Sequence, residues 1–392
     1  MMSSAVESPS VTIFSSDWKQ KPIEGTPFTI DWILRALWKS EVAIDPADVV
    51  DVTTSNISGC TGFASQIMRI AFHLDGCADQ VSVVLKIPGA ELLKRAQEGK
   101  YDLVQVDYYN QEVRFYQHFA SLLCAPLPRM FELVKWVPGG DIGAILMEDL
   151  SGTCSVQSVS EGLNLQQVLS VVDHLADMHN SFLRLPGSER KKFADEFPPP
   201  EGYIDYHVNV IVPKAVEVTR KYPDIFGNRL DKFLDILYDR NYHRYFAASV
   251  SEAFGLPRVP VHGDLWSNNI LWKNCDPDKV GAFVDWQAFY VGNPAFDLSR
   301  ILMLSASTTV RRAYADSIIS HFYSRLDDPF FTKADLDRAY KETLPYQCAH
   351  MVFVVQLLEP RYIRPQVDEM LQRAKAVLDD IRDYEPMYKA SK

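Results

Sequence analysis

The chain has 392 residues, 47% of them hydrophobic and 23% charged, with a formal net charge of −11. That length exceeds what one core usually fills, so two lobes are expected. The acidic balance argues against nucleic acid as the main partner, because binding a phosphate backbone needs a basic surface. No run approaches the roughly 18 apolar residues of a membrane span, so no membrane partner is expected. The first ten residues lack the basic-then-apolar layout of a signal peptide. Six cysteines lie far apart with no C-x-x-C spacing, which argues against zinc and disulfides and fits a reducing, cytoplasmic location.

In chain order, residues 1–26 are rich in Ser, Thr and Pro and read as an irregular arm. A helix is expected over 30–41, with Ile33, Leu34 and Leu37 on one stripe. Short alternating or continuously apolar runs over 49–54, 66–74, 81–87, 131–137 and 144–147 read as strands of one sheet, interrupted by a helix over 107–123. Beyond Leu150 the pattern turns helical, over 165–183, 208–221, 230–248, 309–326, 333–358 and 366–382. A small β-rich piece over 259–285 sits among these helices. The fold class is therefore α+β: an antiparallel-sheet lobe over 27–150 and a larger helical lobe over 151–392.

The chemistry concentrates in Val261-His262-Gly263-Asp264-Leu265-Trp266-Ser267-Asn268-Asn269 and in Phe283-Val284-Asp285-Trp286-Gln287. An acid and an amide five residues apart, with a strand-borne acid sixteen residues later, is the layout of a phosphoryl-transfer loop. Asp264 would accept the acceptor hydroxyl's proton, within a catalytic set completed by His262, Asn269 and Asp285. Asn269 and Asp285 would hold Mg²⁺, one by a neutral oxygen and one by charge. The plainer alternative makes Asp264 and Asp285 turn residues around a hairpin tipped at 274–278; it needs three correctly spaced polar groups to coincide.

Phosphate grips are expected from the sheet lobe. Lys86 sits in the apolar run Val83-Val84-Leu85-Lys86-Ile87, and Glu112 lies on the stripe of Tyr108, Phe115, Tyr116 and Phe119. A charge on an inward stripe needs a partner, so a Lys86–Glu112 pair is expected, with the ammonium on ATP phosphates. A solvent-exposed edge lysine is the alternative. Between two expected strands, Gly59, Gly62 and Ser65 could lay backbone N–H groups over phosphates, or form a plain turn. Met147, Glu148 and Leu150 read as a hinge whose backbone would meet adenine, or as a bare linker. Asp297 reads as a brace on the catalytic loop's backbone, and His179 as a structural histidine on an apolar helix.

These motifs, V-H-G-D-L-W-S-N-N-I-L-W, V-D-W-Q, V-L-K-I-P, N-Q-E-V-R-F-Y and M-E-D-L, resemble the CHK kinase-like or ecdysteroid-kinase-like family. That family lies within the aminoglycoside phosphotransferase and choline kinase superfamily. The likeness runs from about residue 55 to 300 and more loosely onward. It implies a bilobal protein-kinase-like fold, ATP and Mg²⁺, and phosphorylation of a small-molecule hydroxyl, with Asp264 as base, Asn269 and Asp285 on metal and Lys86 on phosphate. The glycine loop departs from the expected pattern, which bears on nucleotide affinity.

Only twelve residues separate Asp285 from Asp297, too few for a long activation segment, so a small-molecule acceptor is expected over a peptide. Aromatic residues Phe197, Tyr203, Tyr206, Tyr222 and Phe226 suit a bulky alcohol such as a steroid; as single residues each reads equally as core. Choline-, ethanolamine- or aminoglycoside-type acceptors rank lower. The rival from another class is a catalytically silent, nucleotide-binding scaffold. A monomer or weak homo-oligomer is expected.

Overall fold

The computed structural model of the chain describes residues 18–42, 44–58, 65–76 and 80–390. The chain divides into two compact units, Met1–His118 with Pro128–Gly152, and Phe119–Leu127 with Thr153–Lys392.

The first unit is built on a five-stranded antiparallel sheet. Its strands are β1 (Val49–Asn56), β2 (Ser65–Leu74), β3 (Val81–Pro88), β4 (Met130–Val134) and β5 (Ala144–Glu148), in the order β1-β2-β3-β5-β4. The central strand β3 is buried from Val83 to Pro88 because both of its faces are covered. Val83, Leu85 and Ile87 pack with Ile30, Ile33, Leu34 and Leu37 of the helix Ile30–Lys39. Val84 points the opposite way, into a cluster with Val106, Tyr109 and Val113 of the helix Leu103–His118. Period-two alternation then puts Lys86 on the Val84 face, toward that second helix.

Some bounds differ from the sequence expectation. The strand expected over 131–137 stops at Val134. The helix expected over 107–123 begins at Leu103, where Asp102 accepts the Gln105 N–H (3.3 Å), and it ends at His118. An unforeseen helix, Ala90–Gln97, follows Pro88-Gly89 and is too short to show a clear period.

The second unit is mainly helical, with small sheets β6-β8-β9 and β10-β7. Their strands are β6 (Cys154–Val156), β7 (Val259–Val261), β8 (Ile270–Lys273), β9 (Asp276–Phe283) and β10 (Tyr290–Gly292). Every pairing of named strands in both units is antiparallel. Capping residues start the long helices cleanly: Asn164 with Gln167 for Leu165–Leu183, and Thr332 with Asp335 for Lys333–Leu358.

Three π-helical turns interrupt helical runs in this unit, at His207–Ile211, Tyr245–Ser249 and Ile301–Ser305. The single helix expected over 230–248 is in fact broken. Short turns give way at Asp239, whose carboxylate accepts the Asn241 N–H and restarts the helix as Arg240–Arg244. No helix among the described residues is long and apolar enough to cross a membrane.

Candidate functional site

In the sheet unit, Lys86 Nζ lies 2.6 Å from Glu112 Oε2, and the two residues are 5% and 1% exposed. Burial to this depth makes the pair interdependent, since each charge offsets part of the other's desolvation cost. Tyr109 fixes the backbone beside it by donating its phenol to the Lys86 carbonyl (2.9 Å).

At the end of β5, Asp149 accepts from Arg69 (2.6 Å) and Ser82 (2.6 Å), tying the Met147–Leu150 segment to β2 and β3. The Glu148 N–H donates to the Arg129 carbonyl (2.8 Å), and its carboxylate accepts the Arg129 N–H (3.1 Å). Glu148 therefore has no N–H to offer a base, which narrows the expected adenine contact there to its carbonyl. Ser65 is the first residue of β2, opposite Pro88. The expected phosphate-covering glycines, Gly59 and Gly62, lie outside the described residues.

In the helical unit the loop after β7 carries His262, Gly263 and Asp264. Gly263 has φ +82°, and a Cβ there would fall 2.3 Å from the Ala288 carbonyl oxygen, so only glycine fits. Asp297 braces this turn. Its two carboxylate oxygens accept the His262 N–H (2.7 Å) and the Gly263 N–H (3.1 Å). Burial pushes the Asp297 carboxyl up to about 7, against the pull of those two N–H groups and of Arg300.

His262 is fully buried. Its Nδ1 accepts the Asp264 N–H (3.2 Å) and its Nε2 donates to the Val284 carbonyl (3.0 Å), which assigns the neutral Nε2–H tautomer. Burial holds its pKa down, to about 4. Both nitrogens are thus engaged by backbone groups. His262 thereby joins Asp264 to the segment between β9 and Asp285.

The Asn269 amide nitrogen donates to the Asp264 carbonyl (2.8 Å) and to Asp264 Oδ2 (3.1 Å). Since the NH₂ must face those oxygens, the amide oxygen turns the other way. A short antiparallel pairing of β8 with β9, together with a Val284 N–H to Asn269 carbonyl bond (3.0 Å), fixes Asp285 relative to Asn269. Asp285 itself adopts φ +69°, an uncommon left-handed conformation for a non-glycine residue. Such backbone outliers gather at functional sites. The described residues contain no cluster of three or more His, Cys, Asp or Glu that could form a metal cage. One amide oxygen and one carboxylate nonetheless suit Mg²⁺, which takes one or two protein oxygens and completes its shell with phosphates and water.

Sequence reasoning missed Arg300. It lies on the helix Phe296–Arg300 that also carries Asp297, is fully buried, and grips Asp264 Oδ1. Its guanidinium also reaches Gln347 Oε1 (3.3 Å) and the ring nitrogens of His350 (3.0 and 3.1 Å). The available signal was a charged residue directly before the apolar run Ile301–Leu304, which calls for a buried partner. Burial raises the Asp264 pKa, Arg300 opposes that rise, and Asp285 adds to it. His179 is buried edge-on against Phe322 and held neutral by burial, with a pKa of about 3, as suits a structural group.

The GDP complex of wild-type aminoglycoside 2′-phosphotransferase-IIIa is similar to this chain with a TM-score of 0.48 at 11% identity, covering 90% of this chain and 98% of that one. "Uncharacterized kinase-like protein D1044.1" of Caenorhabditis elegans is 25% identical over 89% of this chain and 97% of its own length. "Uncharacterized oxidoreductase dhs-27" of the same organism is 24% identical over 90% of this chain, which spans only 45% of that longer protein. Residues 51–385 match the DUF1679 family, described as "Uncharacterized oxidoreductase dhs-27", and the chain belongs to that family.

Proposed function

We propose that this chain transfers the γ-phosphoryl group of ATP to a hydroxyl of a small molecule. The observation that carries this reading is the braced set Asp264, Asn269 and Asp285. Asp264 holds one oxygen toward Arg300 and the other toward Asn269, beside a strained Asp285. That set has the parts a phosphoryl-transfer site uses, in which positioning and charge do most of the work.

In this reading the acceptor hydroxyl donates a hydrogen bond to the Asp264 carboxylate. Its oxygen forms the new bond to the γ-phosphorus while the bond to the β–γ bridging oxygen breaks. The proton passes to Asp264, and ADP leaves with the bridging oxygen. Asn269 and Asp285 would hold Mg²⁺, whose contribution is to offset negative charge on the phosphates. Lys86, oriented by Glu112, would bind phosphate oxygens. The Glu148 carbonyl and the backbone at Leu150 would meet adenine, beside Met147. Of the aromatic residues expected to suit a bulky alcohol, Phe197 and Phe226 are fully buried core, whereas Tyr206 is exposed and couples to Asp264; a steroid-like or other bulky alcohol is the acceptor class proposed on that residue.

The word oxidoreductase in one relative's name belongs to a protein more than twice as long as the matched region. A dinucleotide-binding fold is built on a parallel sheet, whereas the named strands here pair antiparallel. That observation favours phosphoryl transfer over dinucleotide chemistry for this chain.

The test is Mg²⁺-dependent ADP release with a panel of sterols, amino alcohols and sugars, using Asp264→Ala as the control. Acceptor-dependent turnover by wild type, reduced at least a thousandfold in the variant, is expected. Turnover no higher than the variant's for every acceptor would point to a silent, nucleotide-binding scaffold instead.

A further inference from the structure

We propose that Arg300 is the positioning residue of this site: buried and seated on His350 and Gln347, its guanidinium holds Oδ1 of Asp264 and so presents Oδ2 to the acceptor hydroxyl. The inference rests on the phosphoryl-transfer reading for its purpose, but the interaction it describes can be measured without turnover.

The carboxylate of Asp264 has two oxygens with unlike surroundings. Oδ1 is taken by the Arg300 guanidinium, and Oδ2 lies 3.1 Å from the Asn269 amide nitrogen. A carboxylate rotates freely about its last bond unless both sides are held. Here one side is held by a charged donor and the other by a neutral one, so the more basic oxygen is the one beside Asn269. The Asp264 side chain is 19% exposed while Arg300 is fully buried, so the carboxylate is the end that a substrate could reach.

Arg300 can hold this position because its own seat is rigid. Gln347 accepts from it and in turn donates to Ser299 (3.1 Å), one residue before Arg300. The neighbouring imidazole of His350 is kept neutral by burial and by Arg300 itself. A neutral imidazole has one in-plane acceptor nitrogen, so His350 can accept one guanidinium N–H and adds no competing positive charge. His207 and the phenol of Tyr346 complete the wall, with the two rings stacked at 4.1 Å.

The helix bearing Arg300 is itself fixed along its whole length. Asp297 holds the loop backbone, and Ser305 accepts the Ser267 N–H (3.0 Å) at the far end. Buried Arg373 then caps that end, donating to the carbonyls of Leu304 (2.8 Å) and Ser305 (3.1 Å) and also to Val159. Arg300 therefore reaches Asp264 from a scaffold that grips the same loop on either side of it.

The experiment compares crystal structures and kinetics of the full wild-type chain with those of Arg300→Met and Arg300→Lys. Loss of the guanidinium should leave the Asp264 carboxylate rotated or in two orientations, with Oδ2 no longer fixed beside Asn269, and Arg300→Lys should restore the single orientation in part. With any acceptor that is turned over, kcat should fall at least tenfold in Arg300→Met while the KM for ATP stays within twofold, and Arg300→Lys should recover part of kcat. Circular dichroism and thermal unfolding identify a variant that fails to fold, and Gln347→Leu then supplies a milder perturbation of the same seat, with a smaller effect in the same direction. An Asp264 carboxylate in its wild-type orientation in folded Arg300 or Gln347 variants overturns the proposal, whether or not an acceptor is found. An absent acceptor alongside a displaced carboxylate removes only the kinase reading.

Discussion

The buried Lys86–Glu112 pair separates what the fold needs from what a nucleotide would need. Removing one partner leaves the other charge in a site 1–5% exposed, which typically costs about 3–5 kcal/mol. Replacing both with apolar side chains of similar volume removes the two desolvation costs together and is often close to neutral. Lys86→Met and Glu112→Leu should therefore each be strongly destabilising, and the double variant should recover most of the loss.

Because the chain forms two compact units, one global unfolding transition is not a safe readout. Native-state hydrogen exchange of the β3 amides reports on the sheet unit alone. A loss of about 3–5 kcal/mol lowers protection there by roughly 10² to 10³·⁵ in each single variant, with near-wild-type protection in the double. Mg·ATP at a hundredfold excess over its Kd should add about 2.7 kcal/mol of protection to wild type. It should add little to the double variant, which keeps the fold but has no ammonium. Full ATP protection of the double variant would refute Lys86 as a phosphate grip. Single variants as protected as wild type would refute the pair's interdependence.

Two further outcomes follow from the loop and its surroundings. Gly263→Ala forces a side chain into a left-handed backbone and against the Ala288 carbonyl; a loss of at least about 2 kcal/mol and of roughly 10² in turnover is expected, and a variant with normal stability and turnover would show that the turn is not rigid. The second outcome is acid sensitivity of the helical unit. The buried imidazoles of His179, His243 and His262 have folded-state pKa values of about 3, 4 and 4, below their unfolded value near 6.5. Unfolded chains bind protons first as pH falls below 6.5, so the stability these groups confer is complete above that pH and declines toward pH 4, by about 1.4 kcal/mol per unit for each group. Asp297, raised to about 7, acts oppositely between pH 7 and 4, because the folded state takes up its proton first. His207 and His350, also held neutral by burial, add to the loss, so the imidazoles together outweigh the one carboxyl and the helical unit loses stability as pH falls from 6.5 toward 4. Protection factors of the helical unit's core amides unchanged between pH 6.5 and 4.5 would contradict this.

Much of the architecture was legible because the signals were long or strictly periodic. The helix Lys333–Leu358 has the bounds expected of it, and the helices Leu165–Leu183 and Ile30–Lys39 agree to within two residues. Lys86 and Glu112 could be paired in advance because each stood alone on an inward apolar stripe. The region over 230–248 was misread as one helix for a physical reason. Apolar spacing survives a break at Asp239, while the evidence for the break is a single capping hydrogen bond. A π-helical turn is harder still to read, since it adds one residue per turn and shifts the apolar phase without any marker residue.

All three π-helical turns lie in elements that meet the long helix Lys333–Leu358, whose Gln347 and His350 seat Arg300. The turn at Ile301–Ser305 follows Arg300 directly. In a regular α-helix, residues 297, 300 and 305 are three and five positions apart, a spacing that spreads them around the axis. Widening the helix after Arg300 alters where Ser305 falls, and Ser305 is the residue that takes the Ser267 N–H from the Asp264 loop. The widened turn also ends in carbonyls that a standard helix would leave exposed, and Arg373 covers them from the helix Arg364–Asp380. The sequence motif around Asp264 states which groups would meet a reactant. What aims them is a ten-residue helical segment, 296–305, that touches the loop at Asp297, Arg300 and Ser305, and each of these contacts spans more than thirty residues of chain. Contacts at that separation leave no local pattern, so the loop's motif was legible in the sequence while its support was not.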